Sequence, residues 1–397
     1  MRVLVVGSGG REHALAWALD RGGGVEELHA APGNPGIARL AACHPLRPDD
    51  SAAVLSLARE LRIDLVVVGP EAPLVAGLAD ELRRRGVAVF GPGAEAARIE
   101  GSKTFAKEVM EAAGVATARM LPVARPPCVV KADGLASGKG VWVCRTGEEL
   151  AGALRAAGAL GQPFHVEELL EGPELTVFAV AAGEEAVALP PARDYKRIGD
   201  GDTGPNTGGM GSFSPLPDVP DSAAEEILEA VHRPVLRELA RRGAPFQGLL
   251  YAGLMRTDDG LRVIEFNCRF GDPETQSLLP RLDGDLLPLL AGDLAQEPQV
   301  AARAAVTVVL AAPDYPARSD HRGAPIEGVE DAEAAGAVVF HAGTALHEGR
   351  LVTSGGRILN VVGLGETVAS ARTAAYEAVG RIDFAGMQFR SDIAAGV

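Results

Sequence analysis

Lysine is nearly missing from this chain. Of 38 basic side chains in 397 residues only five are lysine, at positions 103, 107, 131, 139 and 196, and all the rest are arginine. Cysteine is also sparse: the four residues Cys43, Cys128, Cys144 and Cys268 form no Cys-x-x-Cys pair. That pattern argues for buried free thiols in a reducing cytoplasm rather than a disulfide framework. Positive charge is in deficit, and the net charge of −15 excludes a general nucleic-acid or anionic-membrane surface. No apolar run reaches membrane-spanning length, and Met1-Arg2-Val3-Leu4 reads as a first strand rather than a signal peptide.

The scarcity of lysine gives the survivors meaning. An ammonium is a compact point charge, whereas a guanidinium is a wide planar fork. Where generic charge has gone to arginine, the remaining lysines are candidates for work that arginine cannot do. Lys107, one helical turn after Lys103, carries no assignable role and reads as an ordinary surface lysine.

The chain is too long for one ordinary core. Its first hundred residues alternate strand and helix: Val3–Val6, Arg11–Leu19, Ser51–Leu61, Ile63–Val68 and Val87–Phe90. Such alternation predicts a parallel α/β sheet with ligand sites beyond the strands' carboxyl ends. Ser102 is a fitting N-cap for a helix that starts there. From Pro126 onward, short strands (Val129-Val130, Val141–Val143, Leu175–Val180) surround glycine-rich turns and one helix, Gly147–Ala157. This predicts a small α+β module within a larger domain. Ala224–Arg242 reads as one long amphipathic helix, and Gly248–Met255 with Leu261–Phe266 as a hairpin. Strands Ala304–Leu310, Ala337–Phe340 and Arg357–Val362, with the helix Thr367–Gly380, predict a separate C-terminal domain.

Five stretches carry chemistry. In Val263–Asp272, strand alternation puts Ile264, Phe266 and Cys268 on a packed face and Glu265, Asn267 and Arg269 on the other. A carboxylate and an amide carbonyl two residues apart suit a hard cation held together with substrate phosphates. The run Val130–Val141 fails the P-loop pattern, because three residues separate Gly134 from Gly138 and a strand follows. It reads as a glycine-rich loop between strands, whose amides approach phosphate oxygens closely beside Lys131 and Lys139. His165–Leu175 is a strand, an acidic turn and another strand, able to meet ribose hydroxyls and a base edge. Pro190–Phe213 shows no helical or strand period, and a structureless stretch of that length is functional or disordered; its polar tools are Asp194, Lys196, Asp202 and Asn206. Finally, Gly7–His13 has Glu12 where a dinucleotide fingerprint needs glycine, so NAD is weakly supported. A phosphate at that helix start, beside Arg11, fits better; His13 reads as a capped surface histidine.

Taken together, these stretches resemble the ATP-grasp superfamily and, within it, the glycinamide ribonucleotide synthetase family. The resemblance is carried by GSGGREHALAWAL, VVVGPEAPLVAG, VVKADGLASGKGV, DYKRIGDGDTGPNTGGMGSFSP, VIEFNCRFGDPETQ, FHAGT and LVTSGGRILNV, in the family's order over nearly the whole chain. One departure is Asp194-Tyr195-Lys196, where the family has Asp-His-Lys.

The resemblance implies an ATP-grasp fold, α/β and α+β multidomain, with an N-terminal parallel α/β domain and a C-terminal mixed β domain. The implied boundaries are 1–101 for substrate binding, 102–122 with 187–297 for the central domain, 123–186 for its lid, and 298–397 for the C-terminal domain. It implies a cytoplasmic, monomeric enzyme of purine biosynthesis with ATP and Mg²⁺ or Mn²⁺, joining glycine to 5-phosphoribosylamine through an acyl phosphate. Another ATP-grasp ligase or a carboxylase is the alternative; no methionine precedes a lysine, which speaks against a biotin acceptor within the chain.

Lys103, Lys131, Gly134, Ser137, Gly138 and Lys139 are then expected on ATP phosphates. Glu168, Leu169 and Leu170 would line the adenine, with Glu174 on the ribose and Glu167 also in the ATP site. Glu265 and Asn267 would hold the metal. Arg269, Asp194, Lys196 and Asp272 would serve the acyl phosphate and glycine. Gly9, Gly10, Arg11, Pro70, Glu71, Asp202, Asn206, Thr207 and Gly208 would contact substrate.

Overall fold

The N-terminal strands pair in the order Ala42–Cys43, Glu27–Pro32, Arg2–Gly7, Leu65–Val68 and Ala88–Phe90, all parallel. The computed structural model describes residues 1–135, 140–296 and 299–397. Val3–Val6 and Leu65–Val68 are buried on both faces, as continuous aliphatic runs in a helix-covered parallel sheet must be. The loop Ser8–Gly9 and the turn Gly69–Pro70 both lie at strand carboxyl ends and lead into the helices Gly10–Gly22 and Glu71–Val75.

Helix Lys103–Ala113 begins as expected, with Ser102 Oγ accepting from Phe105 N at 3.2 Å. A small antiparallel sheet follows, ordered Val141–Cys144, Cys128–Ala132, Phe164–Glu168, with helix Gly147–Ala159 packed on it. Its own core holds Cys128, Val130, Cys144, Leu150, Ala153, Ala157 and Val166.

An eight-stranded antiparallel sheet dominates the rest, ordered Gly260–Asn267, Gln247–Thr257, Glu174–Ala182, Glu185–Asp194, Gly211–Ser214, Ala304–Ala311, Arg357–Gly365, Val338–His341. Leu175–Val180, grouped by sequence with the small module, belongs to this large sheet. The C-terminal strands join the same sheet through Gly211–Ser214, which pairs with Ala304–Ala311. Helix Val368–Val379 covers that half. At Gly363 a Cβ would sit 2.2 Å from Ala371 O, so only glycine permits the helix to lie this close.

Two local expectations are corrected. Pro190–Phe213 is not structureless: it ends one strand, forms the hairpin Arg197–Gly199 with Thr203–Asn206, and begins another strand. Gly201, Asp202, Gly204 and Gly209 take positive φ, and these turns hide the strand period. The helix expected over Ala224–Arg242 is interrupted by a π segment at Leu228–His232. The wider turn fits His232 into the core, fully buried, with Nε2 3.3 Å from Val177 O, and burial lowers its pKa to about 4.

Candidate active site

The register of the large sheet collects the polar residues. Tyr251 lies opposite Asn267, Gly253 opposite Glu265 and Thr176, and Ala192 opposite Thr176. By strand alternation Glu174, Thr176, Asp194, Tyr251, Glu265 and Asn267 share one face. The other face carries Leu175, Val177, Ala252, Leu254 and Phe266, which enter the core. A bulge at Gly253/Leu254 alters the expected pattern: Val263, not Ile264, joins Phe266 and Cys268 in the core. The extra residue leaves Ile264 half-buried, with its carbonyl turned to Lys131.

Lys196 sits between two of these acids, with Nζ 2.7 Å from Glu174 Oε2 and 2.8 Å from Asp194 Oδ1. Burial works against its charge, but Asp194 and Glu174 outweigh it and raise its pKa well above the usual value. Lys196 lowers the Glu174 pKa, whereas burial raises that of Asp194 despite Lys196. Thr176 Oγ1 donates to Tyr251 Oη at 3.0 Å on this face.

Glu274 was not anticipated. It starts the short helix Glu274–Leu278 and is buried, and burial together with the Asp194 charge raises its pKa from 4.5 to about 7. Since the folded state holds this proton more tightly, stability is lost as pH rises from about 4.5 to about 7. Glu274→Gln is expected to remove that loss. Urea midpoints at the two ends of this window should therefore differ less in the variant than in the parent; an equal difference refutes the assignment.

A second cluster lies where the small sheet meets the large one. Lys131 Nζ is 2.8 Å from Glu167 Oε2 and 3.0 Å from Ile264 O, and Lys107 Nζ is 3.0 Å from Glu167 Oε1. His165 Nε2 lies 2.9 Å from Glu167 Oε1, and because a carboxylate only accepts, that nitrogen carries the proton. Burial pushes the Glu167 pKa up, but His165 and the two ammoniums outweigh it and hold it at about 2. Two expectations fall here. Lys107 is buried and also donates to Thr117 Oγ1 and Ala118 O at 2.7 and 2.6 Å, so it is no surface lysine. Glu167, expected on ATP, is instead held by the side chains of Lys107, Lys131 and His165. Glu168 points the other way, with Arg119 Nη2 2.6 Å from its Oε2. Lys103 Nζ reaches Gly134 O at 3.4 Å, beside the glycine-rich loop. Ser137, Gly138 and Lys139 lie outside the described residues.

A third group forms where the N-terminal sheet meets the end of strand Gly260–Asn267. Arg269 Nε is 3.2 Å from Glu71 Oε2, and its Nη2 is 2.9 Å from Glu100 Oε1. Its fork is thus held by two acids rather than standing free. Asp272 takes Arg357 Nη2 at 3.0 Å and Gln276 Nε2 at 2.7 Å. Arg357 Nη1 also donates to Gly208 O at 2.5 Å, tying the loop of Gly208 to Asp272. A Cβ on Gly9 would lie 3.7 Å from Asp272 Oδ2, so the first loop of the N-terminal sheet opens onto the same place. Gly10 is closely packed: a Cβ there would meet Asn360 Nδ2 at 2.2 Å. Arg357, Glu100 and Gln276 lie inside quoted motifs or at a helix end, yet no spacing rule singled them out.

Other expected contacts are turned elsewhere. Arg11 is buried, with Nε 2.6 Å from Glu12 Oε1 and Nη1 3.1 Å from Phe270 O. Glu12 itself accepts from Gly9 N at 2.6 Å, so it closes the loop from within. His13 is buried, not on the surface, and its Nδ1 accepts from His341 N at 2.8 Å. Asp202 reaches Arg390 at 2.6 Å, which fixes the hairpin to the C-terminal segment and takes this acid away from Asp194. Asn206 lies opposite Arg197 in that hairpin, and Thr207 Oγ1 donates to Lys196 O at 2.9 Å.

The antiparallel sheet, the smaller sheet poised beside its polar face and the lysines at their junction define an ATP-grasp protein. Three family descriptions match in succession: "Phosphoribosylglycinamide synthetase" N domain over residues 1–100, its ATP-grasp (A) domain over 101–275, and its C domain over 305–396. The chain belongs to the phosphoribosylglycinamide synthetase family. It is 50% identical to a phosphoribosylamine–glycine ligase of Streptomyces coelicolor, covering 100% of this chain and 99% of the relative. It is also 50% identical to the enzyme of that name from Leifsonia xyli, with 100% of both covered. A crystal structure of phosphoribosylamine–glycine ligase from Thermotoga maritima superimposes with a TM-score of 0.85 at 36% identity, covering 99% of this chain and 100% of that one. An N5-carboxyaminoimidazole ribonucleotide synthetase in complex with ADP, 16% identical with a TM-score of 0.67, covers 95% of this chain and 96% of its own and shares the fold.

Proposed function

We propose that this chain forms the amide between glycine and 5-phosphoribosylamine at the expense of ATP, giving glycinamide ribonucleotide, ADP and phosphate. The observation that carries the reading is the convergence on one sheet face of Glu174, Asp194, Lys196, Glu265 and Asn267, next to Lys131. The N-terminal loop at Gly9 and the Arg357–Asp272–Gly208 group border it. Family membership supports the particular substrates.

ATP lies between the two sheets in this reading. Lys103, Lys131 and the loop after Gly134 take its phosphates, with Lys139 as a lid contact. Leu169 and Leu170 line the base. Glu174, already paired with Lys196, takes the ribose. Glu265 and Asn267 fit a hard divalent cation: both are oxygen donors, and they lie two residues apart on one strand face. Among the described residues no three His, Cys, Asp or Glu side chains converge on a metal position. Two protein oxygens are what Mg²⁺ needs when nucleotide phosphates complete its shell. Bound there, it would neutralise phosphate charge.

A glycine carboxylate oxygen attacks the γ-phosphorus, the bond to the β-bridging oxygen breaks, and ADP leaves. The amine nitrogen of phosphoribosylamine then attacks the acyl carbon. A C–N bond forms, the C–O bond to phosphate breaks, and the amine gives up a proton. The protein's share is positioning and charge. Lys196 and Lys131 offset the phosphoryl charge. Asp272, oriented by Arg357 and Gln276, receives the glycine ammonium, and Asp194 on the sheet face helps to position glycine. Arg269, fixed by Glu71 and Glu100, borders the acyl phosphate. Gly9, Gly10, Pro70 and Thr207 border the phosphoribosyl group. The four cysteines are free thiols, in keeping with a cytoplasmic enzyme.

The test is ADP release with Mg-ATP, glycine and freshly made phosphoribosylamine, each omitted in turn. Turnover should need all three. Release that ignores glycine, or that prefers bicarbonate, points to a carboxylase and defeats the reading.

A further inference from the structure

Glu100 belongs to no motif and ends the helix Ala94–Gly101, outside the strand that carries the metal donors. Its side chain is 8% exposed. Its carboxylate serves three consecutive residues of the other domain. Oε2 accepts from Cys268 N at 2.8 Å, and Oε1 accepts from Arg269 Nη2 at 2.9 Å. The amide of Asn267 is satisfied in one orientation, with Nδ2 donating to Glu100 Oε1 at 3.1 Å and to Phe266 O at 3.2 Å. Oδ1 then lies on the opposite side of the amide from Glu100.

A primary amide has two faces of equal size and opposite chemistry: one end donates and only the other can bind a cation. A carboxylate, which only accepts, placed behind the nitrogen end decides which end faces forward. We infer that Glu100 is a positioning residue that selects the Asn267 amide orientation, presenting Oδ1 beside Glu265 to the divalent cation. The inference rests on the metal role proposed above for Glu265 and Asn267. It gives the N-terminal region a direct hold on the cation site, because the last helix before Ser102 supplies the carboxylate. Outer partners of this kind set ligand orientation, and their loss lowers metal affinity by about 10–100-fold.

The probe is Mn²⁺, titrated into the full-length protein with saturating ADP and followed by the electron paramagnetic resonance of free Mn²⁺. Glu100→Gln keeps the shape but leaves one neutral oxygen for three donors, so the hold on the Asn267 amide should loosen and Mn²⁺ affinity should fall by about tenfold or more. The exchanged pair, Glu100→Gln with Asn267→Asp, moves the carboxylate to position 267 and the amide donor to 100, and should recover most of that affinity. ADP binding without metal should change little in either. Glu100→Asp, withdrawn by one methylene, is the second variant should the first not fold, with the same expected direction. Weakening by Glu265→Ala together with Glu100→Gln, and recovery in the exchanged pair, supports the inference. Weakening by Glu265→Ala while Glu100→Gln stays within twofold overturns it, as does failure of the exchanged pair to recover. Unchanged affinity in both Glu265→Ala and Glu100→Gln overturns the metal reading and this one with it.

Discussion

Lys131→Arg should lower kcat/KM about 10²–10³-fold although the charge is kept. The side chain is 6% exposed, and its ammonium already meets two fixed acceptors, Glu167 Oε2 at 2.8 Å and Ile264 O at 3.0 Å. A third donor is left for phosphate. A guanidinium is wider and planar, and it cannot place its donors on two acceptors at these separations and aim a third forward. The change also overpacks a buried site, a class of change that typically destabilises by about 1–3 kcal/mol. ADP-release kinetics and a denaturation curve separate the two effects. Turnover within threefold of the parent would reject the argument from shape.

The largest stability effect should come from Glu167→Gln. One carboxylate, 2% exposed, faces two ammoniums and His165. Neutralising it leaves two buried positive charges without an opposite, and breaking a buried pair in this way costs about 3–5 kcal/mol. The pH dependence follows from the depressed pKa, about 2 against 4.5. Glu167 contributes fully above 4.5, and the contribution is lost as pH falls toward 2. The gap between parent and variant in urea denaturation should therefore be widest near neutrality and shrink in acid. A gap under about 1 kcal/mol at neutral pH contradicts the network.

The lysine count pointed to the right region for a reason that only partly held. Lys131 and Lys196 are both locked to acids at the core of the candidate site, as scarcity suggested. Lys107 reads as surface because a lysine one turn into a helix has no visible partner in sequence. Its partners, Glu167 and the Ala118 carbonyl, arrive through the chain's return. Glu265 and Asn267 were legible because strand alternation is local and survives up to a bulge. The bulge at Ile264 was not, since an extra residue leaves no mark in a run of hydrophobic side chains. Arg269 and Asp202 show the opposite failure. Each has the right chemistry for an anion or substrate, and each turns to a distant partner that spacing along the chain cannot show.

By itself the sequence determined the parallel N-terminal sheet, the helix start at Ser102, the strand carrying Glu265 and Asn267, and the family. All of these depend on near-neighbour patterns: aliphatic runs, a capping hydroxyl, period-two alternation and long contiguous motifs. Tertiary structure alone decided that the C-terminal strands extend the central sheet, that Lys107 and Lys131 share Glu167, and that Arg357 clamps Asp272. It also decided that Glu100 stands behind Asn267. Hydrogen bonds and ion pairs act over about 3 Å, whereas these partners are separated by 36 to 167 residues of chain. Folding alone brings them within that range.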